Sequence, residues 1–158
     1  MRRADREVRE FSQIVSIMER CDICYLALND ADGFPYVIPM NFALEALTDR
    51  VVLYLHCARE GKKLDLIRRD PRCAFSMDCN HVLELGSAPC AATWKYESVC
   101  GRGRLSEIGG EEGIRSLRLL MKHYDPDREH EFDERHLKAV TLLRMDVEEL
   151  TGKRRDRK

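Results

Sequence analysis

Leu53-Tyr-Leu-His56-Cys-Ala58-Arg-Glu-Gly61-Lys62-Lys63-Leu-Asp-Leu66 changes its period at the middle. Residues 51–56 form a compact apolar run of the kind a strand needs, whereas Leu64, Leu66 and Ile67 recur at the spacing of a short helix that Asp70-Pro71 stops. Strand, glycine-bearing loop and helix therefore follow in that order. A helix that begins near Gly61 aims its first N–H groups and the positive end of its dipole at whatever precedes it, and Lys62 and Lys63 add two charges. This is the layout of a phosphate cradle, although a solvated lysine pair at an ordinary helix start has the same spacing. His56, at the end of an apolar strand, reads by itself as a hydrogen-bonded structural residue.

Working outward, residues 23–28 and 35–44 read as a hairpin about the turn Asp30-Ala31-Asp32-Gly33. Pro39 removes a ladder donor, so its strand belongs at a sheet edge or carries a bulge there. Residues 5–20 space Val8, Phe11, Ile14, Val15 and Met18 as an amphipathic helix, with Asp5 as its N-cap. Downstream, residues 73–77 form another strand, and residues 96–108 a long one that bends at Gly101 and Gly103. Residues 80–93, with Gly86, Ser87 and Pro89, have no clear period. Gly109-Gly110 precedes a second helix with Ile114, Leu117, Leu120 and Met121 on one face and Glu111 and Glu112 at its positive end. Residues 125–134 read as polar loop and residues 138–147 as the last strand.

Strands joined mostly by turns, with helices at the periphery, define a mainly β chain, a small barrel rather than a doubly wound sheet. The expected organisation is one domain over residues 1–150, N-terminal helix included, and a basic tail over residues 151–158. The length of 158 residues suits one core. With 27 Lys and Arg against 28 Asp and Glu, a dedicated nucleic-acid binder is a poor reading. No apolar run approaches the roughly 20 residues of a membrane span, and the opening MRRADREVRE lacks the apolar stretch of a signal peptide. The expectation is a cytoplasmic protein with neither nucleic acid nor membrane as partner.

Seven cysteines, an odd number in a chain without a signal peptide, argue against a disulfide framework. Cys21 and Cys24 have C-x-x-C spacing, but a zinc site needs two more ligands, which Cys79 and His81 could supply if the fold brought them close. The plainer reading makes Cys24, Cys57, Cys73 and Cys100 small residues compatible with a core, and no metal is expected.

Three blocks then gain weight from their order: Pro35 to Phe42 as P-x-x-x-P-x-N-F, Tyr54 to Lys63 as Y-L-H-x-A-x-x-G-x-K, and Tyr96 to Gly103 as Y-x-S-V-x-x-x-G. Together with a closing Thr151-Gly152-Lys153 they resemble the nitroimidazole-resistance (Nim) branch of the pyridoxamine 5′-phosphate oxidase-like flavoproteins, over residues 14–153. The resemblance implies a split β-barrel that binds FMN at the interface of a homodimer. It implies that Ile38, Pro39, Met40 and Asn41 line the flavin ring. His56, Ala58, Lys62 and Lys63 would hold the ribityl phosphate side, Tyr96, Ser98 and Val99 would complete the pocket, and Lys153 would reach a cofactor phosphate. His56 is also the one candidate catalytic residue, as a proton donor to the substrate.

The activity implied is FMN-dependent reduction of nitro compounds or related small electrophiles, with NAD(P)H or another donor supplying electrons. A pyridoxamine-phosphate-oxidase-type oxidase and a non-catalytic flavin- or haem-binding protein are the alternatives.

Overall fold

The computed structural model describes residues 3–88 and 91–155. Eight strands form one antiparallel sheet: β1 (Glu7–Val8), β2 (Cys24–Asn29), β3 (Pro35–Met40), β4 (Phe42–Ala46), β5 (Val51–Cys57), β6 (Arg72–Glu84), β7 (Thr93–Ile108) and β8 (Thr141–Arg155). Helices α1 (Phe11–Glu19), α2 (Lys62–Arg69), α3 (Gly110–Tyr124) and α4 (Glu134–Ala139) lie between them. The strand order is β3-β2-β6-β7-β8-β5-β4, with β1 paired to β8 off this path. The two ends of that order, β3 and β4, are consecutive in the chain and separated by Asn41 alone. The sheet therefore curls until its edges meet at one residue, and the barrel seam there is covalent. Pro39 lies on the end strand β3, opposite Tyr25, as its missing donor requires.

β8 belongs to two halves of the barrel. It pairs with β7 from end to end, and on its other side with β5 over residues 141–146 and with β1 at Gly152 and Lys153. The register shifts between Arg102 and Gly103, the bend expected from the glycines. A Cβ at Gly103 would stand 2.1 Å from the Asp146 carbonyl oxygen, so no other residue fits that approach.

The interior is filled by Ile17, Met18, Leu26, Leu28, Phe42, Leu53, Leu55, Met77, Leu143 and Met145. A second cluster, Ala43, Val52, Tyr54 and Leu142, lies on the outside of the same strands beneath Leu117 and Leu120 of α3. β5 is thus covered on both faces, which is why its sequence is apolar without alternation.

Several expectations are corrected. Residues 4–6 form a 3₁₀ turn and Glu7–Val8 pair with β8, so α1 starts at Phe11. The Asp5 carboxylate caps nothing and instead accepts hydrogen bonds from Arg3 at 2.7 and 2.5 Å. The 35–44 run splits at Asn41 into two strands. Residues 80–84 continue β6 past a bulge between Cys79 and Val82, where Asn80 has φ 57°. Pro89 lies outside the described residues. The polar loop ends in α4, and the last strand begins at Thr141. That strand runs through Arg155, so residues 151–155 are sheet rather than tail, and residues 156–158 lie outside the described residues.

Candidate functional site

His56 shares its side of β5 with Val52 and Tyr54 and sits opposite Leu142, so it faces out of the barrel. The residue is half-buried, and its Nδ1 is buried with no hydrogen-bond partner among the described residues. Burial first, and Lys63 second, push the imidazole pKa below its ordinary value. One strand step beyond the Phe42–Leu55 pair, the exposed Asn41 flanks His56 at the barrel seam.

The two lysines separate. Lys62 makes a 2.5 Å ion pair with Asp30 and lies 5.1 Å from the centre of the Tyr36 ring, tied to the hairpin turn. Lys63 Nζ touches only Met40 Sδ, at 3.0 Å, among the described residues. A thioether is a weak acceptor, so this ammonium is poorly compensated. Gly61 turns the chain into α2 at φ +127°, a conformation that suits glycine, and the space a Cβ would enter is open. Among the described residues no side chain caps α2, and the Leu64 and Asp65 N–H groups donate to the Gly61 carbonyl, which leaves those of Lys62 and Lys63 at the helix start. Ala58 is exposed in the preceding loop.

The other residues singled out from the sequence divide by face. Met40 is buried, Val99 is fully buried, and Ile38 is half-buried and packs against the barrel core. Pro39 is exposed on the outer face in one cross-strand row with Tyr25, Ser76, Cys100 and Thr151. Ser98 is paired with Lys153 on that face, and Lys153 Nζ lies 5.4 Å from the centre of the Tyr96 ring.

One protomer does not bring these groups together. Leu142, the neighbour of His56, and Lys153 are separated by eleven residues of β8, about 36 Å of extended strand. Between them the outer face carries Tyr25 and Val37, 45% and 55% exposed, with small residues around them. The sequence did not announce the clamps Asp30–Lys62 and Met40–Lys63, because both join residues more than twenty apart.

The C-x-x-C pair does not form a joint site. The Cys21 thiol donates to the Ile17 carbonyl at 3.2 Å, and Cys79 approaches the same oxygen at 3.9 Å, whereas Cys24 faces the barrel interior. Burial pushes Cys24 up to about 12 and raises Cys21 further. Among the described residues no group of three or more His, Cys, Asp or Glu is arranged to hold a metal ion. Among them, no helix is long and apolar enough to cross a membrane.

An antiparallel barrel split along one shared strand, with a cationic strand-to-helix turn at its seam, defines the class: a mainly β, flavoprotein-related split barrel. A family model described as pyridoxamine 5′-phosphate oxidase matches residues 10–154, and the chain belongs to that family. Among solved structures, a candidate 5-nitroimidazole antibiotic resistance protein from Bacteroides thetaiotaomicron is similar at TM-score 0.80 and 28% identity, over 93% of this chain and 85% of that one. The FAD- and haem-binding protein from Mycobacterium smegmatis matches at TM-score 0.82 and 16% identity, over 96% of this chain and 74% of that one. An FAD-binding protein from Mesorhizobium loti matches at TM-score 0.61 and 23% identity, over 94% and 96%. These last two share the fold. No curated protein matches the chain.

Proposed function

We propose that the chain is an FMN-dependent oxidoreductase, active as a homodimer, that reduces nitro compounds or related small electrophiles. The observation that carries this reading is the pair at the start of α2: a buried imidazole nitrogen with no partner beside an ammonium held only by a thioether. Groups left in that state are costly, and a ligand bearing phosphate and ring heteroatoms would satisfy both. Lys63 and the first N–H groups of α2 would bind the phosphate. Asn41 and the end strand β3 would bond the polar rim of the ring. The separation of Tyr96, Ser98 and Lys153 from His56 supports a second copy, whose outer face would bring that trio against the first copy's turn.

Bound flavin supplies electron exchange between a reduced nicotinamide, or another donor, and the acceptor. Burial and the neighbouring Lys63 push the His56 pKa down, which favours the uncharged imidazole, and its partnerless Nδ1 would hydrogen-bond the bound ligand. A cleft of about 570 Å3 lined by Ile108, Ile114, Leu137, Leu142 and Arg59 adjoins His56 through Leu142 and gives an acceptor room. The name of the Bacteroides neighbour supports nitroimidazoles as the acceptors to try first. All six described cysteines are free, in keeping with a cytoplasmic setting.

The test is the colour of the purified protein, followed by anaerobic turnover. Oxidised-flavin absorbance is expected, and reduced holoprotein should be reoxidised by a 5-nitroimidazole faster than free reduced FMN. A colourless protein that takes up no FMN, or one with a haem spectrum, would sink the cofactor assignment; equal rates would leave a flavin binder without this activity.

A further inference from the structure

The charge balance of the chain conceals a strong local imbalance. Residues 1–9 and 151–158 together contain nine Lys and Arg against three Asp and Glu, whereas the remainder contains 18 against 25. The β1–β8 ladder, Glu7 to Lys153 and Val8 to Gly152, sets the described parts of both ends side by side. As a result Arg3, Arg6, Arg154 and Arg155 line one cleft of about 570 Å3, with the Asp5 carboxylate among them. Its far wall is the end of the β6–β7 hairpin, with Glu84, Leu85, Gly86, Ala91 and Thr93. That wall is folded tightly, since a Cβ at Gly86 would stand 2.3 Å from the Ala91 Cβ.

The four guanidinium groups are not equally engaged. Arg3 is held by Asp5, and Arg154 donates to Glu97 at 2.6 Å. Arg6 has only a 3.9 Å approach to Asp5, and Arg155 has no partner among the described residues. Two planar cationic forks therefore remain for an anion, and that geometry matches phosphate oxygens. The same cleft is lined by Leu85, 80% exposed, and by Gly86 and Ala91, with the polar Glu84 and Thr93 beside them. The lining is concave and its volume lies in the range of small-ligand sites, which favours a small molecule over a polymer spread on a flat face.

We propose that this cleft is a nucleoside-phosphate site, with phosphates on Arg6 and Arg155 and the base against Leu85 and Ala91. It is distinct from the turn at Lys63 and holds whether or not that turn binds flavin. A free nucleoside diphosphate and the diphosphate half of a reduced nicotinamide dinucleotide share this chemistry.

Calorimetric titration of the full chain with ADP, pyrophosphate, adenosine and NADH tests it. ADP is expected to bind at least tenfold more tightly than adenosine and more tightly than pyrophosphate. Arg6→Gln with Arg155→Gln should weaken ADP at least tenfold. Arg155→Gln alone, at the half-buried last described position of β8, should weaken it in the same direction and serves if the double variant does not fold. NADH displaced by ADP identifies the dinucleotide as occupant, and ADP binding without NADH binding identifies a free nucleotide; either supports the site. Equal binding of ADP and adenosine, unchanged ADP affinity in both variants, or a single-stranded oligonucleotide binding more tightly than ADP would overturn it.

Discussion

Lys62 and Lys63 are adjacent in the chain, yet one is engaged by an aspartate and an aromatic ring and the other by a sulfur atom. Only the second has donors to give without breaking a charged contact. Lys63→Ala is therefore expected to raise the FMN dissociation constant by about ten- to a hundredfold, the range of one charge-assisted hydrogen bond. Lys62→Ala should change it by less than about threefold. Quenching of FMN fluorescence on titration with each variant measures both, and equal losses would return Lys62 to the phosphate. The sequence made the pair visible as a charge at a helix start, but which lysine is available depends on Asp30 and Met40, brought in by the hairpin.

At the scale of elements, Glu97 on β7 joins three segments: it accepts from Arg20 at the end of α1 (2.7 Å), Arg154 on β8 (2.6 Å) and Asn80 at the β6 bulge (2.5 Å). Burial pushes its carboxyl up, but these donors outweigh it and hold the pKa at about 2, below the ordinary 4.5. The stabilisation is complete above about pH 4.5 and is lost as pH falls toward 2. Glu97→Gln should lower stability at pH 7 by about 1–3 kcal/mol and flatten the pH dependence between 2 and 4.5, both read from urea midpoints. An unchanged acid profile would remove Glu97 as the link.

The same scale separates what the sequence discloses from what it hides. β5 and α2 are legible because a local change of period defines them, and α3 because its face repeats. The true start of α1 is hidden because Val8 is recruited by a strand 144 residues away, which no local pattern signals. α4 is hidden because its capping box pairs Asp133 with His136, where Glu or Gln is the usual third residue.

For the whole molecule, the homodimer proposed above would use the outer face around Tyr25 to complete the site. Tyr25 stands in its middle row, opposite Pro39 on one side and Ser76 on the other. Tyr25→Glu introduces a charge that would lose its water on association, at a cost of several kcal/mol. The variant is expected to sediment as a monomer and to lose FMN while retaining its β-sheet circular dichroism. A dimer with full flavin content would show that another face mediates assembly. Among the six described cysteines, the five buried ones gain only a packing explanation from the fold, and Cys21 and Cys24 no joint role.

The pairing of β1 with β8 also has a topological consequence. Glu7 and Lys153 lie directly across a ladder, within about 5 Å of each other, so the first and last described residues are separated by only a few residues of chain. The order in which the strands are connected is then separable from the barrel they build. A circular permutant that joins Arg155 to Arg3 through a short Gly/Ser linker and opens at the exposed turn between Leu47 and Arg50 should fold to the same sheet. Its melting temperature and FMN uptake, compared with those of the parent, decide the matter: a permutant that fails to fold would mean that the order of the strands along the chain, and not only the adjacency of β1 and β8, is needed to build the sheet.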